Sequence, residues 1–246
     1  MIQPPYKNVT AVSVVWEEEQ RIGSLGGILY SWFDNVVIVV QKGSDRTLDI
    51  CRNLMIKPTH KIIEDEWRGG GDFSMPLALS HVETDWTYVI SGDEEPDLEL
   101  LRSMPDAIAA MEEGGYDGAM IRCEETIEGI KYVEHPAHVR LFRTAGGWEA
   151  RHHSAAPHDN LMPGIWPHGA YIHTRSLEEV CRDYLRKLTM MEAEGDSLAD
   201  HNRYTIFAVC NLVAAEKGWR FVWALEQWPE IERRVFAYVD SQLAVI

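Results

Sequence analysis

The chain has 246 residues, 46% of them hydrophobic, so it can bury a sizeable core without a metal or disulfide staple. Its formal net charge of −16 argues against a general nucleic-acid binder and against a protein that docks on anionic membranes. An anionic substrate is still compatible with that charge, because a divalent cation reverses the local field, and a metal-assisted site is favoured over one lined by Arg and Lys.

Val9–Val15 is near-continuously apolar, as a strand buried on both faces is. Trp16-Glu17-Glu18-Glu19 ends it and leads into a helix with Ile22, Leu25, Ile28 and Leu29 on one face. Gly23, Gly26 and Gly27 lie inside that helix without the G-x-G-x-x-G order, so they are not a dinucleotide fingerprint. Val36–Val40 is the second strand, and Ser44 or Asp45 caps a helix running to about Met55. His60–Ile63 is a short third strand, and Glu64 to Asp72, with Gly69-Gly70-Gly71, is a loop. A short helix, Met75–His81, leads to the strand Trp86–Ile90. Gly92 and Pro96 break that strand and set Asp93, Glu94, Glu95 and Asp97 at its end. Carboxylates there can bind a hard cation and leave coordination to water or a substrate phosphate; a solvated acidic turn is the alternative.

Strands alternating with helices predict an α/β fold, a Rossmann-like, mostly parallel sheet with helices on both faces. Ligands bind such sheets at the carboxyl ends of the strands, where segments 16–19, 41–47 and 91–97 all fall. Leu98–Glu113 is a helix that Pro105 is expected to kink or split. Strand-like runs at Ala119–Arg122, Lys131–Glu134, Val139–Phe142 and Trp148–His152 predict a small antiparallel extension. Ser176-Leu177-Glu178-Glu179 has capping-box spacing and opens a helix to about Met191, with further helices at Asn202–Lys217 and Glu230–Gln242. The expected organisation is a core, residues 1–175, followed by a C-terminal helical extension, residues 176–246. Trp219, Trp223 and Trp228 read as helix packing, with a homo-oligomer interface as a further option. No apolar run approaches the roughly 18–20 residues of a membrane span, and no secretory signal is visible at Met1–Lys7. Cys51, Cys123, Cys181 and Cys210 form no C-x-x-C pair, which points to reduced thiols and a cytoplasmic protein.

Residues 9–101 resemble the family 2 glycosyltransferases, nucleotide-sugar enzymes with a GT-A fold. The matching pieces are Val12-Ser13-Val14-Val15 with Glu18 and Arg21-Ile22, then Val36–Val40 with Gly43-Ser44-Asp45-Arg46-Thr47. They continue through Trp67 and the glycine loop to Asp85–Glu94, and more thinly through Val139–Arg143, Trp148–His153 and Ile172-His173. The resemblance implies a donor-nucleotide half at 1–113 and an acceptor half at 114–175. It implies donor contacts from Val15, Trp16, Glu18, Gln41, Ser44, Arg68, Ser91, Gly92 and Asp93. It also implies Mg²⁺ or Mn²⁺ held by Asp93, with a late histidine, His173, completing the site; Glu94 and Glu95 would support it or stand in solvent. The activity implied is inverting transfer of a sugar from a nucleotide-diphosphate donor. The acceptor could be a glycan, a lipid-linked group, a protein or a nucleic acid.

Three positions depart from the family pattern: Gln41 and Ser91 each stand where an Asp is usual, and Ser154 where a carboxylate is usual. An inverting transferase needs a general base within reach of the acceptor hydroxyl, and His153, Asp159 and Glu149 are the candidates. Seven of the ten histidines fall between His135 and His173, but without Cys partners or an H-E-x-x-H helix they make a weak zinc pattern. The departures leave open a non-catalytic GT-A-like domain that binds nucleotide or glycan. A nucleotidyltransferase is a further alternative, although its basic glycine loop after the first strand is replaced by Trp16-Glu17-Glu18-Glu19.

Overall fold

A computed structural model describes residues 5–54, 57–67, 71–127, 129–149, 156–157, 162–176 and 179. In chain order these form β1 (Tyr6–Val15), α1 (Ile22–Trp32), β2 (Phe33–Gln41), α2 (Thr47–Leu54), β3 (His60–Asp65), a 3-10 turn (Gly71–Ser74), α3 (Met75–Leu79) and β4 (Trp86–Val89). There follow β5 (Glu94–Pro96), α4 (Leu98–Gly114), β6 (Gly118–Ile127), β7 (Ile130–Arg143), a 3-10 turn (Thr144–Gly146), β8 (Trp148–Glu149), β9 (Ala156–Pro157) and β10 (Pro163–Arg175).

The main sheet has the order β3-β2-β1-β4-β7-β6-β10-β5. β1 lies parallel to both β2 and β4, and β2 parallel to β3. β7 is antiparallel to β4, and β5 antiparallel to β10, so the expected extension is four strands wide. Successive residues of a strand face opposite sides, and the core divides accordingly. Ala11, Val36, Ile38, Val40 and Tyr88 pack with Ile22, Leu25 and Leu29 of α1 and Leu101, Met104 and Ile108 of α4. Val12, Val37, Val39, Val89 and Phe142 pack with Met75 and Ala78 of α3. Helices therefore cover both faces, and each fully buried Leu, Ile or Val side chain contributes about 1.5–3 kcal/mol.

The chain divides into one unit of Met1–Glu124 with Glu134–His173 and a second of Glu125–Val133 with Thr174–Ile246. In the second unit the expected capping box forms: the Glu179 amide donates to Ser176 Oγ, and the Ser176 amide donates to Glu179 Oε2 at 2.7 Å. The helices expected beyond it lie outside the described residues.

Two expectations change. Pro105 does not split α4, which runs from Leu98 to Gly114 and ends at the left-handed Gly115. Pro105 has no N–H to offer the Leu101 carbonyl one turn back, and the Tyr6 hydroxyl donates to that carbonyl instead, at 2.8 Å. Lys131–Glu134 and Val139–Phe142 are parts of one strand, β7, rather than two. Cys51 and Cys123 are buried and not in a disulfide, and burial pushes the Cys51 thiol up to about 12.

Candidate active site

The carboxyl ends of β1, β2 and β4 carry the loops in which the donor residues were expected. The loop after β1 is locked to the loop after β2 by side chains that accept backbone hydrogens. Glu17 Oε1 accepts from the Ser44 amide and hydroxyl at 3.0 and 2.9 Å. The Glu18 amide donates to Thr47 Oγ1 at 2.8 Å, and the Glu19 amide to Asp45 Oδ2 at 3.0 Å. Glu19 Oε2 in turn accepts from the Arg46 amide at the start of α2. Glu17 adopts φ +54°, a conformation side chains rarely take, and a Cβ on neighbouring Gly43 would lie 2.7 Å from Glu17 Cγ. Glu17 and Glu19 therefore shape the cradle.

Glu18 sits differently. Its carbonyl starts α1 by accepting from the Ile22 amide, and its carboxylate lies 3.5 Å from the Arg21 guanidinium. A Cβ on Gly92 would come within 2.8 Å of Glu18 Cγ and 2.9 Å of Val15 Cγ1. The missing side chain at 92 thus lets Val15, Glu18 and the β4 loop meet. Trp16, the next residue of the β1 loop, stacks at a tilt on Trp67, ring centroids 5.3 Å apart.

Gln41 is placed at the strand end, but it is only 2% exposed and its Nε2 donates to Ser74 Oγ at 2.9 Å. The Ser74 hydroxyl in turn donates a hydrogen bond to Asp65 Oδ2 at 2.7 Å, tying β2 to β3. Arg68, His153 and Asp159 lie outside the described residues, and Glu149 is described only as backbone in β8.

The loop after β4 sorts its carboxylates. Asp93 Oδ2 lies 2.8 Å from His173 Nε2, although 80 residues separate them. This follows from β5 pairing with β10 in the register His173↔Glu94, Ile172↔Glu95, Tyr171↔Pro96. Neither strand was anticipated, because Glu94-Glu95-Pro96 reads as an acidic turn and β10 carries Pro163, Pro167 and Gly169.

Of the two places expected for Glu94, supporting the site or standing in solvent, the second is corrected. Glu94 is 4% exposed, and its Oε1 accepts from Arg140 at 2.7 Å while Oε2 accepts from the Ser91 amide at 2.9 Å. Glu95 accepts from the Ser24 hydroxyl at 3.1 Å. Asp97 caps α4: Oδ1 accepts from the Leu100 amide at 2.6 Å and Oδ2 from the Ala170 amide at 2.9 Å. That last bond needs β10 to pass close to α4, and Gly169, at φ +73°, permits it, since a Cβ there would lie 2.2 Å from the Leu100 nitrogen.

Sequence reasoning missed Arg140, which packs over the Tyr171 ring at 4.4 Å. A cation inside the apolar run Val139–Phe142 was the available signal, because a buried Arg requires a carboxylate partner. Tyr171 is buried beneath that Arg, and the Trp166 indole donates to Ser103 Oγ at 3.0 Å.

Among the described residues no group of three or more His, Cys, Asp and Glu side chains is placed to hold a metal ion. Asp93 and His173 are a carboxylate and an imidazole facing each other, both half-buried, with side-chain exposures of 30% and 15%. Two protein ligands fit an ion that takes its remaining coordination from water and a substrate diphosphate.

No family profile and no curated protein matches the chain. Solved structures do. S. aureus TarS 1-349 in complex with UDP-GlcNAc aligns with a TM-score of 0.55 and 16% identity, over 91% of this chain and 79% of that one. The mannosyltransferase PcManGT from Pyrobaculum calidifontis, in complex with GDP-Man and Mn²⁺, aligns at 0.56 and 12% identity, over 97% and 81%. A longer S. aureus TarS structure aligns at 0.52 and 17% identity over 79% of this chain, which spans 41% of its length. The chain has the GT-A glycosyltransferase fold.

Proposed function

We propose that the chain is a metal-assisted, inverting glycosyltransferase that moves a sugar from a nucleotide-diphosphate donor to an acceptor. The observation that supports this most is the Asp93–His173 pair, brought together from 80 residues apart at the carboxyl end of the β4 strand. The similar structures contain UDP-GlcNAc, or GDP-Man with Mn²⁺, which agrees with a nucleotide-sugar donor and a divalent ion.

In this reading Asp93 and His173 hold the ion, and a ring nitrogen beside a carboxylate favours Mn²⁺ over Mg²⁺, whose ligands are oxygens. A divalent ion bound there would stabilise negative charge on the departing diphosphate. Trp16 offers an aromatic face to the base, with Trp67 beside it. Val15, Glu18, Ser91 and the bare backbone of Gly92 line the nucleotide's path, and Ser44 and Arg68 flank it. Gln41 contributes through the Ser74 contact that fixes the end of β2. Glu149, His153 or Asp159 takes the acceptor proton, a step that contributes roughly 10²–10⁴-fold. Residues 1–113 form the nucleotide half, 114–175 the acceptor half and 176–246 a helical extension, in a cytoplasmic protein. The acceptor is a glycan, lipid-linked group, protein or nucleic acid.

A thermal-shift screen of UDP- and GDP-sugars with and without Mn²⁺ identifies the donor, because a ligand that binds only the folded state raises its stability. Turnover of that donor is then expected to require Mn²⁺ or Mg²⁺ and to vanish in Asp93→Ala with the circular dichroism unchanged. Undiminished donor turnover by metal-free Asp93→Ala overturns the mechanism. Ser91 and the inward-bonded Gln41 support a second reading, a nucleotide-binding domain without catalysis; nucleotide binding indifferent to Mn²⁺, with no donor turnover, selects it.

A further inference from the structure

Between the strand-end loop and the rest of the sheet lies a buried ionic cluster that the proposed mechanism does not use. Arg140 of β7 and Glu94 of β5 have side-chain exposures of 11% and 5% and meet at 2.7 Å. Around them stand the rings of Tyr88 and Tyr171, both almost fully buried. Burial pushes both phenols far above their ordinary range, so both are neutral partners.

A buried ion pair is a poor way to gain stability, because the cost of desolvating two charges offsets most of their attraction. Its value lies in placement. Glu94 follows Asp93 directly, and it closes the Ser91–Glu94 turn twice: its amide donates to the Ser91 carbonyl and its carboxylate accepts from the Ser91 amide. The guanidinium that holds Glu94 also lies over Tyr171, two residues before His173. One side chain therefore grips both segments that deliver the Asp93 carboxylate and the His173 imidazole.

We infer that Arg140 and Glu94 are positioning residues: their buried ion pair sets the approach of Asp93 to His173, and with it the affinity of the site for a divalent ion. Neither side chain touches the ion or the donor. The inference rests on the metal site proposed above.

The test is Mn²⁺ titration, followed by electron paramagnetic resonance, of the full chain in the presence of UDP or GDP. Arg140→Met combined with Glu94→Gln removes both charges together and so leaves no lone buried charge to unfold the protein. Gln retains an acceptor for the Ser91 amide. Arg140→Lys keeps the charge but shortens its reach and loses the planar fork. The expected order is wild type, then Arg140→Lys about threefold weaker, then the double variant at least tenfold weaker. Binding of UDP or GDP without metal is expected to be unchanged in both. Mn²⁺ affinity equal to wild type in whichever variant folds overturns the positioning role and leaves the metal site intact. Wild-type protein that takes up no Mn²⁺, or Asp93→Ala that takes it up normally, overturns the metal site itself and the inference with it.

Discussion

Asp97 separates a structural carboxylate from a ligand-binding one, and the structure gives the size of the effect. Its two oxygens have two jobs: Oδ1 takes the Leu100 amide as the N-cap of α4, and Oδ2 takes the Ala170 amide of β10. Loss of an N-cap costs about 1 kcal/mol. Loss of a charge-assisted bond to a partly buried amide costs about 2 kcal/mol more. Asp97→Ala is therefore expected to lower stability by about 3 kcal/mol, or the Tm by roughly 6–12 °C in a chain of this length. Asp97→Ser retains a cap but cannot reach Ala170, so it should lose about two-thirds of that. Asp93→Ala, at a loop residue outside the caps, should leave the Tm within about 2 °C while abolishing Mn²⁺ uptake. Calorimetry and Mn²⁺ titration on the three variants form a crossed pair of readouts. An Asp97→Ala protein that keeps its Tm and loses Mn²⁺ refutes the capping assignment and makes Asp97 a ligand.

Two further outcomes follow from buried groups away from the site. Tyr6→Phe strands the Leu101 carbonyl and should cost about 1–3 kcal/mol, yet the cost should largely disappear in a Pro105→Ala background, where residue 105 supplies the missing N–H; equal costs in both backgrounds, by urea unfolding, contradict the account. Desolvation, aided by Lys57, lowers the His60 pKa, so the folded protein resists a proton that the unfolded chain accepts below about 6.5. Stability should accordingly fall as the pH drops from about 6.5 through the folded-state value. His60→Phe, which preserves the stack on Tyr30 at 4.3 Å, should flatten that fall in calorimetric scans, and an unchanged slope contradicts it.

The parallel half of the sheet was readable because its strands are runs rich in β-branched and aromatic residues and each helix repeats its apolar face, signals that are local. The antiparallel half was not. β10 carries two prolines and two glycines, and β5 is three residues long, so both depend on each other and on neighbours 75 or more residues away. The site shows the same division. Asp93 and Gly92 stood out from an acidic strand end, and His173 from its place in the resemblance. The roles of Glu94 and Asp97 were invisible, because an acidic run looks the same in sequence whether its members face a cation, an amide or solvent. Only tertiary pairing with Arg140 and Ala170 tells them apart.

That sorting also reconciles a net charge of −16 with the anionic donor proposed above. Glu17, Glu19, Asp45 and Asp97 accept backbone amides, Glu95 accepts a hydroxyl and the buried Glu94 faces Arg140, so each of these carboxylates already has a donor within the protein. The Asp93 carboxylate faces the His173 ring at 2.8 Å. Without a cation, a diphosphate brought to this loop meets that carboxylate, and unit charges about 5 Å apart repel by about 3 kcal/mol at an effective dielectric of 20. A nucleoside carries no such charge. Isothermal titration should therefore show uridine or guanosine binding equally with EDTA or Mn²⁺, while UDP or GDP binds about a hundredfold more weakly in EDTA. Asp93→Ala should erase most of that difference by raising the affinity measured in EDTA. Diphosphate binding that is the same in EDTA and Mn²⁺ would show that the loop's charge is already neutralised within the protein, and the case for a cation at Asp93 and His173 would fall with it.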